Sequence, residues 1–208
     1  MIKSLFISLI LFLSAFSINA QEQQAPVKTA LMIIDIQNFY FPGADGPGLV
    51  NAEQASLAAK EILQVFRDSK QTVIHVRHQS AKGFEIQKNV EPLPDEKVIT
   101  KQQVCCFLGT DLHDYLNSLH VTRLVIIGMQ TQMCLEAAVR AAHDMGYECL
   151  VIPDACATRN LKFGGKEVKA EDVQTSVLAT ISEGGYGKII DLKTFMENRD
   201  KYIFQKAE

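Results

Sequence analysis

Apolar residues in this chain fall into short unbroken runs, and between the runs they recur three and four positions apart. The runs are Ala30 to Ile36, Thr72 to Val76, Leu124 to Gly128, Cys149 to Ile152 and Lys188 to Ile190, with a weaker one at Lys97 to Thr100. Successive side chains of a strand point to opposite faces, so a continuous apolar run is covered on both sides, as in a parallel sheet between helices. The stretches Asn51 to Ser69, Thr110 to Leu119, Thr131 to Met145 and Glu167 to Glu183 have helical spacing. Asn51 and Thr110 suit helix starts, and Gly146 and Gly184-Gly185 suit helix ends. A last helix is expected after Asp191. The alternation predicts a three-layer α/β/α domain on a doubly wound, mainly parallel, Rossmann-like sheet of about six strands.

The first residues break this pattern. MIKSLFISLILFLSAFSINA sets Lys3 before an apolar run and ends in Ala20, the order of a cleaved secretory signal. The expected organisation is a signal over residues 1–20, a polar leader over 21–27 and one domain over 28–208, located in the periplasm or secreted. No second apolar segment is long enough to span a membrane. Removing the signal deletes one lysine from 21 basic residues against 24 acidic ones, leaving 20 minus 24, or −4. A mildly acidic chain without a Lys/Arg cluster lacks the electrostatic footprint that nucleic acid requires. The five cysteines, Cys105, Cys106, Cys134, Cys149 and Cys156, are odd in number and include no CxxC pair. A domain of this size builds its own core, so they do not read as a disulfide scaffold.

Open α/β sheets bind ligands at the carboxyl ends of their strands, where loops diverge and helix N-termini point inward. Asp35 falls at the end of the first expected strand, Lys101 at the end of the third and Cys134 in the turn after the fourth. Singly each has an ordinary reading: a turn-capping aspartate, a solvated lysine, a buried thiol. Together they supply a base, a cation and a nucleophile at one crevice, which suits acyl transfer. At the start of a helix, Cys134 is also placed to gain thiolate character from unpaired N–H groups and the dipole. The first turn has no glycine between Asp35 and Phe41, which argues against a dinucleotide-binding oxidoreductase. Phe39, Tyr40 and Phe41 follow the aspartate, and His78, Gln79 and Phe84 follow the second strand; they are expected to line a pocket for a small-molecule substrate.

These residues resemble the isochorismatase-like cysteine hydrolases over nearly the whole domain. The resemblance rests on Asp35-Ile36-Gln37-Asn38, on Lys101 with Phe107-Leu108-Gly109-Thr110-Asp111-Leu112, and on Gly128-x-x-Thr131-x-x-Cys134. Ala141-x-x-x-x-Gly146-Tyr147 and Asp154-Ala155-Cys156-Ala157-Thr158 extend it. It implies an Asp35-Lys101-Cys134 catalytic triad, an oxyanion hole from the N–H groups of Gln130 and Cys134, and a cis peptide at Met129-Gln130. It also implies a homo-oligomer. Nicotinamidases of this group carry an additional Asp-x-His and His cluster after the second strand, which is missing here, so no metal and no cofactor is expected. Isochorismatases proper cleave a vinyl ether without a nucleophilic cysteine. A chain that keeps the cysteine is expected to cleave a C–N bond of the amide type, the alternatives being vinyl ether hydrolysis or a non-catalytic binding protein on the same fold.

Overall fold

The computed structural model describes residues 27–43 and 48–205. The expected signal, and the leader up to residue 26, lie outside the described residues. Six parallel strands form the central sheet: β1 (Thr29–Ile34), β2 (Thr72–His78), β3 (Lys97–Lys101), β4 (Arg123–Met129), β5 (Glu148–Ala157) and β8 (Lys188–Ile189), in the order β3-β2-β1-β4-β5-β8. Alternate residues of the buried strands feed two cores. Leu31, Ile33, Val125 and Ile127 meet α1 (Ala52–Asp68), α5 (Leu192–Glu197) and α6 (Arg199–Phe204) on one face. Ala30, Met32, Ile34, Leu124 and Ile126 meet α2 (Leu112–Ser118), α3 (Glu136–Asp144) and α4 (Ala170–Glu183) on the other. This is the three-layer arrangement that two-sided apolar runs require. Among the described residues no helix is long and apolar enough to cross a membrane.

Several element boundaries differ from the sequence pattern, each for a local reason. Asn51 adopts a left-handed φ of 59° and its side chain does not cap α1. Thr110 bonds the Cys106 carbonyl at 2.6 Å, and α2 starts two residues later. The expected helix from Thr131 opens as a π-turn, Thr131–Leu135, before α3 begins. Glu167 and Val168 do not start α4. They belong to an antiparallel ribbon of β6 (Leu161–Phe163) and β7 (Lys166–Val168), whose Gly164 and Gly165 both have positive φ. Two such glycines are what a two-residue hairpin turn with the strands' own twist demands.

The end of the sheet away from the carboxyl termini is closed by polar anchors. Arg123, 2% exposed, pairs with Glu148 and donates to the Tyr202 and Gln205 carbonyls, while Thr29 donates to Ile203. A second anchor joins α1 to β2. Glu96 accepts from Arg67 at 2.7 and 2.8 Å, from His75 at 2.9 Å and from the Leu93 amide at 2.8 Å. At the carboxyl edge β1 and β4 come unusually close. Gly128 has φ 129°, and a Cβ there would lie 2.0 Å from the Ile34 carbonyl oxygen.

Two outcomes follow from these contacts. Gly128→Ala must push β1 and β4 apart beside Asp35 and should destabilise by about 3 kcal/mol or more. Urea unfolding checks this, and an unchanged midpoint would contradict it. Burial pushes the Glu96 carboxyl up, but Arg67, the Leu93 amide and His75 outweigh it and hold the pKa at about 2, below the ordinary 4.5. A depressed carboxylate contributes stability that is present above its unfolded pKa and lost on acidification. Stability should therefore fall as the pH drops from about 4.5 toward about 2, and Glu96→Gln should flatten that part of a pH series of unfolding midpoints.

Candidate active site

The carboxyl ends of four adjacent strands, β3, β2, β1 and β4, deliver the polar side chains of the site. Strand register does the positioning: His78 pairs with Lys101, Ile34 with Val76, and Ile34 with Gly128. Asp35 follows β1 directly in a left-handed turn, φ 48°, with its N–H bonded to the Val76 carbonyl at 2.9 Å. Lys101 is the last residue of β3, and Cys134 lies in the π-turn after β4. The three residues that are far apart in sequence meet. Lys101 Nζ lies 2.8 Å from Asp35 Oδ2 and donates to Cys134 Sγ at 3.3 Å, to the Gln103 carbonyl at 3.2 Å and toward His78 Nδ1 at 3.2 Å. The Asp35 and Lys101 side chains are both 0% exposed. The 2.8 Å contact is an ion pair by distance, without the alignment of a hydrogen bond, and neither Asp35 oxygen has an aligned donor among the described residues.

Charge balance governs the protonation of this cluster. Burial raises the Asp35 carboxyl, and Lys101 together with the Cys134 thiol pulls against that. Burial alone would lower the Lys101 ammonium, but the Asp35 charge outweighs it and the net direction is up. The pair is thus a buried carboxylate facing a buried ammonium. A thiolate added to it would leave uncompensated negative charge out of water. Accordingly burial and the Asp35 charge push the Cys134 thiol up to about 12, against the pull of Lys101. Cys134 therefore rests as a thiol, which differs from the thiolate character expected at a helix start. The reason is twofold: the sulfur is buried away from water with the Asp35 charge beside it, and Cys134 sits in a π-turn ahead of α3. Passing the proton from Cys134 to Asp35 avoids the penalty, because the cluster's total charge is unchanged and Lys101 then faces the sulfur anion.

The other expected site residues divide. The Met129-Gln130 peptide is cis. Gln130 is buried, and its carbonyl accepts from the Met133 and Leu135 amides at 3.0 and 3.3 Å. Tyr40 joins the cluster: burial, with Cys134 and Asp35 nearby, raises its pKa, and the Gln130 side chain pulls against that. Phe39 is half-buried and packs edge-on against Tyr40 at 4.2 Å. Phe41, in contrast to the pocket-lining role expected of it, is buried in the core against α1, because the chain turns inward after the Asn38–Tyr40 turn. Gln79 is exposed, with its N–H on the Lys101 carbonyl at 2.8 Å, and Phe84 is covered by the Arg77 guanidinium at 4.1 Å. His75 and His78 separate as their spacing requires, His75 to Glu96 and His78 to Lys101.

Gln37 is the functional residue that sequence reasoning left without a role. Fully buried, it accepts from the His78 N–H at 2.7 Å and donates to the His78 and Phe84 carbonyls at 3.1 and 2.8 Å, clamping the loop after β2 to the loop after β1. A lone amide between Ile36 and an aromatic run is the signal, since a buried amide must find partners. Gln132 makes a comparable link, accepting from Thr158 and donating to Gln130 at 3.0 Å.

Known proteins resemble this chain in sequence and in fold. The model of the isochorismatase domain matches residues 29–181. The isochorismatase family protein YddQ of Bacillus subtilis is 38% identical over 81% of this chain and 99% of its own length. The streptothricin hydrolase of Streptomyces noursei is 27% identical over 74% of this chain and 56% of its own. A crystal structure described as an isochorismatase hydrolase of Oleispira antarctica superposes with a TM-score of 0.77 at 35% identity, covering 82% of this chain and 96% of that one. The family model and these relatives match along the domain in sequence and overall fold, and the chain belongs to the isochorismatase family of hydrolases.

Proposed function

We propose that the protein hydrolyses a C–N bond of the amide type in a small molecule through a thioester on Cys134. The observation that carries this reading is Lys101 Nζ, buried between Asp35 Oδ2 at 2.8 Å and Cys134 Sγ at 3.3 Å. As Sγ bonds to the substrate carbonyl carbon, its proton passes to Asp35 and the carbonyl π pair moves onto oxygen. The N–H groups of Gln130 and Cys134 would hold that oxyanion, each donor contributing about 3 kcal/mol to the transition state. Collapse breaks the C–N bond, and protonated Asp35 returns the proton to the departing nitrogen. Water then attacks the thioester with Asp35 as base, the acid leaves, and the sulfur regains a proton. Lys101 stays charged throughout and faces whichever of the two partners is anionic.

The vinyl ether reading asks only for an acid to protonate carbon, and gives a thiol hydrogen-bonded to Lys101 no task. A binding protein without turnover would gain nothing from a buried ion pair held against a thiol, because such pairs are costly to desolvate. The printed name of the Streptomyces noursei relative, a hydrolase of streptothricin, is consistent with small-molecule hydrolysis and names no substrate for this chain.

A panel of small amides assayed for released ammonia or amine tests the reading. Cys134→Ala and Asp35→Asn should each lower turnover by about 10³-fold or more while the circular dichroism stays that of the wild type. Near wild-type activity in Cys134→Ala would overturn it. The pH profile of kcat/KM is a second test. Asp35 must be ionised to accept the proton, so activity should be lost on acidification with a midpoint above the ordinary aspartate value of 3.8. A rise that instead follows thiol ionisation on the alkaline side would mean that solvent, not Asp35, takes the proton.

A further inference from the structure

Lys101 has more acceptors around its ammonium than protons to give them. An ammonium carries three N–H bonds, and four acceptors stand within 3.3 Å of Nζ: Asp35 Oδ2 at 2.8 Å, the Gln103 carbonyl and His78 Nδ1 at 3.2 Å each, and Cys134 Sγ at 3.3 Å. The aligned bonds go to His78, Gln103 and Cys134, while Asp35, the closest acceptor and the anionic one, goes without. Left to itself the ammonium would turn an N–H onto the carboxylate, because bonds to charged acceptors are about twice as strong as bonds to neutral ones. A thiol sulfur is a weak acceptor. Something therefore holds the ammonium turned away from its strongest partner.

The three N–H bonds of an ammonium turn as a unit about the Cε–Nζ bond, so fixing two of their directions fixes the third. Gln103 holds one through a backbone carbonyl, which any residue at that position would supply. His78 holds another through a side chain, and the ring is itself held in place. His78 pairs with Lys101 in the β2–β3 register, and its backbone N–H and carbonyl are both bonded to the buried amide of Gln37. Nδ1 can accept only when the ring proton is on Nε2. The other tautomer, or an imidazolium, would set N–H against N–H.

We propose that His78 is a positioning residue for this hydrolysis: by taking one Lys101 N–H at Nδ1, it keeps another on Cys134 Sγ and off Asp35. Two consequences serve the proton transfer. Asp35 keeps its basicity, because no N–H is committed to its oxygens. As the thiol proton passes to Asp35 and the electron pair stays on sulfur, the thiolate meets an N–H already aimed at it, and Lys101 keeps all of its protons. Without His78 the freed ammonium rotates onto the carboxylate, which weakens the base and strips the sulfur of its donor. The effect of His78 on turnover rests on the thioester reading, whereas the place of its ring proton and the reactivity of Cys134 are read without any amide.

With isotopically labelled histidine, long-range proton–nitrogen correlation spectra in mildly alkaline solution should show the His78 proton on Nε2, the signal being assigned by its loss in His78→Asn. A proton on Nδ1 would overturn the proposal. Among variants, His78→Leu removes the acceptor, His78→Asn returns one at the position of Nδ1, and His78→Gln puts one a bond farther out. His78→Leu and His78→Gln should lower kcat on a substrate amide by about 10- to 100-fold, the scale of one hydrogen bond to a charged group, with KM within about twofold of the wild type. His78→Asn should recover most of the loss. Alkylation of Cys134 by iodoacetamide without substrate, followed at its peptide by mass analysis, should slow in the same order, and circular dichroism should match the wild type throughout. A loss in His78→Asn equal to that in His78→Leu, a change in KM alone, or unchanged alkylation in His78→Leu would overturn the positioning role. Absent amide turnover in the wild type, with alkylation still slowed by His78→Leu and restored by His78→Asn, would contradict the hydrolase reading while supporting the role of His78.

Discussion

Everything at the carboxyl edge of this sheet depends on one buried ion pair. Asp35 and Lys101 have no exposed side-chain surface, and ions removed from water persist only when each supplies the other's missing solvation. That requirement fixes the ends of β1 and β3 relative to each other across β2, and it determines the state of the third member. With one negative and one positive charge already balanced, the Cys134 sulfur rests as a thiol. Its proton then has one inexpensive destination, the carboxylate beside it, since that transfer leaves the total charge of the pocket unchanged. The proposed chemistry is a consequence of this balance more than of any strong intrinsic nucleophile.

The fold carries the strain of keeping the pair in place. Asp35 turns in a left-handed conformation immediately after β1, one residue beyond Ile34, whose carbonyl leaves no room for a side chain at position 128. The same approach of β1 to β4 sets the start of the segment that runs through Gln130 to Cys134. Gln37 then ties the loop after β1 to His78, and His78 contacts Lys101 in turn. Backbone geometry, a glycine and a buried amide thus hold one charge cluster from three sides.

Much of this was legible in the sequence because the relevant signals are periodic or positional. Two-sided apolar runs mark all six strands of the sheet, and the strand-end rule alone brings Asp35, Lys101 and Cys134 to one crevice. What escaped was set by contacts with no periodicity. Gln37 acts through backbone groups more than forty residues away, and Phe41 turns into the core after a single short turn. Helical spacing from Glu167 onward runs over the end of the β6–β7 ribbon, although Gly164-Gly165 between short strands is a hairpin signal. The protonation of Cys134 also escaped, because a helix-start argument weighs local dipoles and cannot see a carboxylate supplied by another strand.

The account stands on a covalent bond forming at one sulfur. With an amide substrate found by ammonia or amine release, the reaction is quenched in acid during turnover and digested for peptide mass analysis, and a parallel reaction is run with hydroxylamine. The account predicts the acyl part of the substrate on the peptide bearing Cys134, or its capture as the hydroxamate where hydrolysis is too fast to leave it there. Turnover that yields neither, or an acyl group on Cys105, Cys106, Cys149 or Cys156, would contradict it.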